Sequence, residues 1–258
     1  MEQTWETGNR SLSLDVTIKC QNKCRFRVIA SDFKKNTKYA DRVIEVSGFR
    51  TIYISLPTSP EKLRIVVTPV DKNQDYMVSI KEKTLRTYDI NKDAEMMQFV
   101  KFAQQFSTVC GYSDASVKGR WFRTPDKKFN IKFFPFINHN GKASTTPARI
   151  GHSTGTIEVS KLHFDRYTIP MRMCILLHEF SHVFRNPKMD LKIENEVGAD
   201  MNALYIYLGL GYSKVDAIFV FANVFLKAQT ESNMDRMRKI MNYIDRFEKE
   251  DFAKLRTV

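Results

Sequence analysis

The sequence predicts an α+β protein in two parts. An antiparallel β-sandwich occupies residues 1–85, an α+β domain occupies residues 94–258, and residues 86–93 link them. Two observations carry this reading. The first 85 residues alternate apolar and polar positions with the period of half-buried strands, whereas beyond Asp93 long stretches take the helical period. At 258 residues, 43% hydrophobic and 27% charged, the chain has the length and balance of a folded protein with a sizeable core.

In the first part, "SLSLDVTIKC", "RFRVIASD", "DRVIEVSGF", "RTIYISL" and "KLRIVVTPV" are short runs rich in β-branched residues. Breaks carrying Asn, Asp, Gly, Ser or Pro separate them: "QNK", "SDFKKN", "SGF", "PTSPE" and "DKNQD". Strands at this spacing predict a small antiparallel sandwich. Nothing in them has the look of catalytic chemistry, so this part is expected to bind, dock or space, with assembly neighbours as its partners.

The linker, residues 86–93, falls within "TLRTYDINKD", Thr84–Asp93. Asp93 is placed to cap a helix through "AEMMQFVKFAQQFSTVCG", whose Met96, Phe99, Val100, Ala103 and Phe106 share one face. A basic loop follows, "SVKGRWFRTPDKK". Its Lys118, Arg120, Trp121 and Arg123 mix charge with an aromatic, the combination that contacts nucleic acid; an ordinary solvated loop is the alternative. Three strand-like pieces come next, "FNIKFFPFI", "ARIGHSTG" and "TIEVSKLHF". Pro170 suits the first turn of a helix that runs to about Arg185 and stops at Asn186-Pro187. Further helices are expected over "IENEVGADMNALYIYLG", after Ser213, and over most of "NMDRMRKIMNYIDRFEKEDFAKL".

The formal net charge is +12, and the excess precedes residue 171: residues 91–170 hold 12 Lys/Arg against 6 Asp/Glu. Such a field favours acidic partners, nucleic acid among them, although a solvated surface accounts for it equally well. Cys20, Cys24, Cys110 and Cys174 form no disulfide framework at this length, which favours a reducing compartment. "KCQNKC" is at most half of a zinc site, with no second pair nearby. No apolar stretch is long enough to span a bilayer, and "MEQTWETGNRSLSLD" does not read as a signal peptide, so a cytoplasmic location with no membrane partner is expected.

The most informative stretch is "CILLHEFSHVFRNP", Cys174–Pro187. His178, Glu179 and His182 form H-E-x-x-H inside an apolar run, where imidazole and carboxylate are costly without partners. Residues four apart share a helix face, so both histidines can meet one zinc ion, while Glu179 points beside them. Zinc acidifies a water it holds, and a neighbouring carboxylate can take the proton. The alternative is a helix with two satisfied core histidines. A third ligand is wanted, and Glu194, Glu196 and Asp200 on the next helix are the candidates.

With "NEVGAD", Asn195–Asp200, in N-E-x-x-x-D spacing behind H-E-x-x-H, the chain resembles the gluzincin branch of the zincin metallopeptidases, the thermolysin-like group. The resemblance covers roughly residues 94–230. It implies a zincin-like α+β domain, Zn²⁺ as cofactor, and a protein or peptide substrate. It also implies Glu196 as third ligand, Asp200 as hydrogen-bond partner of His178, and Glu179 as general base, with Glu194 or Asp200 remaining alternative ligands. Zincins carry a substrate-pairing strand before the metal helix, and Gly151–Ser160 stands in that position. They also carry an oxyanion-stabilising residue, for which His152, Tyr167 and Tyr205 are candidates. The layout of a β domain ahead of a zincin-like domain also resembles virion proteins of tailed phages, neck or tail-ring components of the crAss-like group. That second resemblance implies a structural part in a large assembly, with the site active or vestigial.

Overall fold

The computed structural model describes residues 1–71, 75–88, 90, 93–139, 141–184, 196–226, 228 and 230–249. The chain divides into two compact units: Met1–Thr87 with Thr168–Pro170 and Gly211–Ser213, and Tyr88–Tyr167 with Met171–Leu210 and Lys214–Val258.

The first unit is built on β1 (Glu2–Glu6), β2 (Leu12–Asp32), β3 (Lys38–Leu56), β4 (Lys62–Pro69) and β5 (Tyr76–Lys83), all paired antiparallel. β2 pairs with β3 along most of its length. Its other edge takes β5 beside Ser13–Cys20 and β4 beside Phe26–Asp32, with β1 outside β4. The breaks expected at "QNK" and "SGF" are not turns. Cys20 pairs with Gly48 and Cys24 with Val46, so β2 takes four steps where β3 takes two. This bulge, with Gly48 at φ 75°, bends the ladder without ending it. The parity survives the bend: Leu14, Val16, Ile18 and Cys20 before it, and Cys24, Phe26, Val28 and Ala30 after it, are all buried. The two leaves so formed close over one apolar core as an antiparallel β-sandwich.

The second unit is α+β. Its sheet has the order β10-β11-β7-β6: β6 (Arg120–Arg123), β7 (Asn130–Phe134), β10 (Ala148–Ile150) and β11 (Thr156–Ser160). β11 runs parallel to β7, and the other pairs are antiparallel. A small hairpin, β8 (Asn138–His139) with β9 (Lys142–Ala143), stands apart. The helices are α1 (Ala94–Val109), α2 (Lys161–Phe164), α3 (Ile169–Ser181), α4 (Glu196–Gly209), α5 (Lys214–Val220) and α6 (Glu231–Lys249), with a π-helical turn at Phe221–Phe225. No helix among the described residues is long and apolar enough to cross a membrane.

Asp93 caps α1 as its chemistry suggests, Oδ1 accepting from the backbone N–H of Glu95 (2.8 Å) and Met96 (3.0 Å). An aromatic cluster then ties α1 to the sheet and to α3. Phe106 meets Phe133 and Phe122 edge-on at 5.5 and 5.0 Å, and Phe99 stacks on Phe180 at 4.0 Å. "RWFR" is not a loop: it is β6, at the sheet edge.

Arg172, on α3, is buried between two helix ends. Nη1 donates to Ser107 O in the last turn of α1 (2.7 Å), and Nε donates to Phe164 O at the end of α2 (2.9 Å). A cation suits the carbonyl ends of helices, and these bonds tie α3 to the ends of α1 and α2. Arg172→Met removes two charge-assisted hydrogen bonds, each worth about 1.5–3 kcal/mol. Chemical denaturation should show a loss of roughly 3–5 kcal/mol; a loss below about 1 kcal/mol would mean that α3 is held by packing alone.

Candidate metal centre

α3 ends at Ser181, earlier than the expected Arg185, and the expected stop at Asn186-Pro187 lies outside the described residues. The last turn tightens, with His182 N donating to Glu179 O (3.2 Å) and Val183 N to Phe180 O (3.1 Å). His182 therefore sits in the turn just past the helix, and its ring still meets that of His178. The two Nε2 atoms are 3.2 Å apart. Glu196 opens α4 and completes the group: Oε2 is 3.4 Å from His178 Nε2, and Oε1 is 3.8 Å from His182 Nε2. One ligand atom from each of the three residues lies within 4.8 Å of the other two.

Donors held at about 2.0–2.1 Å on two vertices of a tetrahedron are roughly 3.3 Å apart, so this spacing and this N, N, O chemistry fit one metal ion. His178, His182 and Glu196 form a gluzincin-like HExxH…E metal-binding triad. Glu194 lies outside the described residues. Asp200, the other alternative ligand, faces away from the triad's centre. Its Oδ1 is 3.0 Å from His178 Nδ1, on the far side of the ring.

Asp200 has no exposure to solvent and also takes Arg236 from α6. Arg236 Nε donates to Oδ2 (3.0 Å), and Nη2 donates to Oδ1 and Oδ2 (3.0 and 2.8 Å) and to Glu196 Oε2 (3.2 Å). One guanidinium thus braces the partner of one ligand and another ligand directly. Asn202 joins the two helices: Nδ2 donates to Ser181 Oγ (3.1 Å), whose hydroxyl donates to Leu177 O (2.7 Å). On the other side Phe225, from the π-helical turn, lies over the His178 ring with centroids 4.2 Å apart. Such turns often mark functional sites.

Neither Arg236 nor Phe225 carries a local signal in the sequence. Asn202 does: it is an amide inside the apolar run "ADMNALYIYLG".

The triad opens on a cleft of ≈ 450 Å³. Its walls include β10, His152, Val224 and Phe225. The strand next to the metal helix is therefore not Gly151–Ser160 as a whole. β11 lies inside the sheet, and the edge strand on the cleft is β10. Among the oxyanion candidates, His152 lines the cleft, with its ring 6.0 Å from that of His182. Tyr205 is buried in α4 and Tyr167 packs against Phe164 at 6.3 Å; neither is among the cleft's lining residues.

The charges couple strongly. Burial works to lower the pKa of His178, but its hydrogen bonds to Asp200 and Glu196 outweigh that and raise it to about 9. The same bond to His178, working against burial, holds Glu196 down at about 2. His182 is lowered, by burial and then by the charge on His178. Glu179, 7% exposed, is pushed up to about 7 by burial. The charge of His178 and the Ile150 N–H pull it down, and Glu196 pushes it up.

No known protein family, curated protein or solved structure matches the chain.

The raised pKa of His178 favours its protonated form, a second cation beside Arg236, and a metal must displace that proton. With the His178 pKa raised to about 9 by its carboxylate partners, metal binding at neutral pH competes with a proton on that ring. Titrating Zn²⁺ into metal-free protein should show affinity rising about tenfold per pH unit from neutrality, then levelling above the His178 pKa. An affinity independent of pH across that range would contradict the coupling.

Proposed function

We propose that the chain is a zinc-dependent peptidase that hydrolyses peptide bonds with an activated water. The observation that carries this reading is the carboxyl of Glu179. It is buried beside the triad, outside the ligand set, on the wall of an open cleft.

His178, His182 and Glu196 would hold a zinc ion, which would supply a Lewis acid able to acidify a water. Glu179 takes the proton from the attacking water and returns it to the leaving amine. A carboxyl pushed up to about 7 suits both directions at neutral pH. The Ile150 N–H bonded to it ties the base to β10. β10 is the edge of its sheet among the described residues, so an extended peptide can add to it as a further strand with its carbonyl over the triad. His152, on the same wall, is the donor for the charge that develops on that carbonyl oxygen. Asp200 fixes the tautomer and orientation of the His178 ring, and Arg236 holds Asp200 in place.

Three proteins compared in parallel test the assignment: the wild type, Glu179→Gln and His182→Ala. Glu179→Gln should keep zinc and fold while losing about 100- to 10,000-fold of peptide hydrolysis, the worth of a positioned base. His182→Ala should lose metal and activity together. The readouts are elemental analysis and digestion of a broad peptide library. A Glu179→Gln protein as active as the wild type removes Glu179 from the mechanism.

A further inference from the structure

The sheet of the second unit has one face turned to the helices and one turned outward. Ile131, Phe133, Ile157 and Val159 are buried on the inner face. The alternate residues point the other way, and the register sets them in a row across four strands: Trp121 beside Lys132, Lys132 beside Glu158, Glu158 beside Arg149. The acidic member of the row is neutralised within it, since Arg149 Nη2 is 2.7 Å from Glu158 Oε2. Arg123, two residues along β6 from Trp121, shares its side of the strand.

Trp121 is 44% exposed, and two cations lie on its ring. The Arg123 guanidinium is 4.1 Å and the Lys132 ammonium 5.2 Å from the centroid. Lys132 also reaches Phe134 at 5.3 Å. Among the described residues no carboxylate lies within ion-pair distance of Arg123 or Lys132. Two uncompensated cations therefore rest on aromatic faces, where they hold their charge toward solvent. The arrangement is built in. Gly119, at φ 80°, lies so close to the sheet that a Cβ there would meet Lys132 Cγ at 2.5 Å and Phe134 Cζ at 2.7 Å. The turn before β6 can lie along the stem of Lys132 only because residue 119 has no side chain.

We propose that this outward face binds single-stranded nucleic acid. A base can take the place of a cation on the indole, or stack on the guanidinium plane, and the displaced cation then meets a phosphate. The surroundings match in sign: residues 91–170 carry 12 Lys/Arg against 6 Asp/Glu. An acidic peptide would use the charges and leave the indole idle. A membrane would have to accept Asn130, Thr156 and the Arg149–Glu158 pair, which lie on the same outward side of the strands. The surface uses no residue of the metal centre, so the proposal stands independently of the peptidase reading.

The test is anisotropy of a labelled single strand of about 20 nucleotides, a length that spans a stacking site, with the full chain over a range of salt. Wild-type protein should bind at low salt. Trp121→Ala should weaken binding about tenfold or more, the usual loss of a stacking partner. Arg123→Gln should lower the slope of log affinity against log salt by about one. Duplex of the same sequence, phosphatidylserine vesicles and polyglutamate should each compete poorly. Circular dichroism checks the fold of both variants. Should Trp121→Ala fail to fold, the exposed Arg123→Gln decides alone. Absence of binding, a folded Trp121→Ala that binds like wild type, an unchanged salt slope in Arg123→Gln, or preferential displacement by vesicles or polyglutamate would overturn the proposal.

Discussion

A carboxyl with no solvent exposure sits in the middle of the helical half: Asp200, on an α4 whose residues from Gly198 to Gly209 are all buried. Such a group needs partners on every side, and it has them in His178 Nδ1 and the guanidinium of Arg236. The consequences spread outward. The contact with Nδ1 turns the His178 ring so that Nε2 faces His182 and Glu196. The same arginine reaches Glu196, so α6 helps to set a ligand on α4. Removing either partner of Asp200 would leave a buried polar group uncompensated and release the ring it orients.

Other elements deliver α3 and α4 to that meeting. The stacked Phe99 and Phe180, the buried Arg172 on the ends of α1 and α2, and Asn202 between α4 and the end of α3 each restrain the metal helix from a different direction. Glu179 is then placed by default. One residue, about 100°, round the helix from His178, it points at the cleft wall instead of joining the ligands. Burial there raises its pKa, so the restraints that assemble the triad also tune the neighbouring carboxyl.

The metal site was legible in the sequence because its signal is local. H-E-x-x-H places His178 and Glu179 on the helix and His182 in the turn that closes it, and "NEVGAD" supplied Glu196 and Asp200 through the gluzincin resemblance. What supports those residues was not legible. Arg236 is 36 residues beyond Asp200 on an amphipathic helix, and nothing in "NMDRMRKIMNYIDRFEKE" marks one arginine from another. The sandwich was legible as a class but misdivided. The bulge at Cys20–Cys24 and the Gly48 opposite it carry the residues of turns, so two long strands read as four short ones. β1 and β5 were missed because "EQTWE" is almost wholly polar and "YMVSIKEK", with no buried position, ends in a charged run. "RWFR" read as a loop because its charges hide the alternation of an edge strand. The likeness to phage neck proteins rested on layout alone, and no residue of the structure bears on it.

The central claim is that one zinc ion is held by two imidazoles and a carboxylate. X-ray absorption at the zinc edge, on the zinc-loaded protein, tests it most directly. The account predicts a first shell of nitrogen and oxygen at roughly 2.0–2.1 Å, with the outer-shell scattering of two imidazole rings and no sulfur. A sulfur shell at about 2.3 Å would place the metal on cysteine, and a shell without imidazole scattering would place it elsewhere; either result would contradict the account.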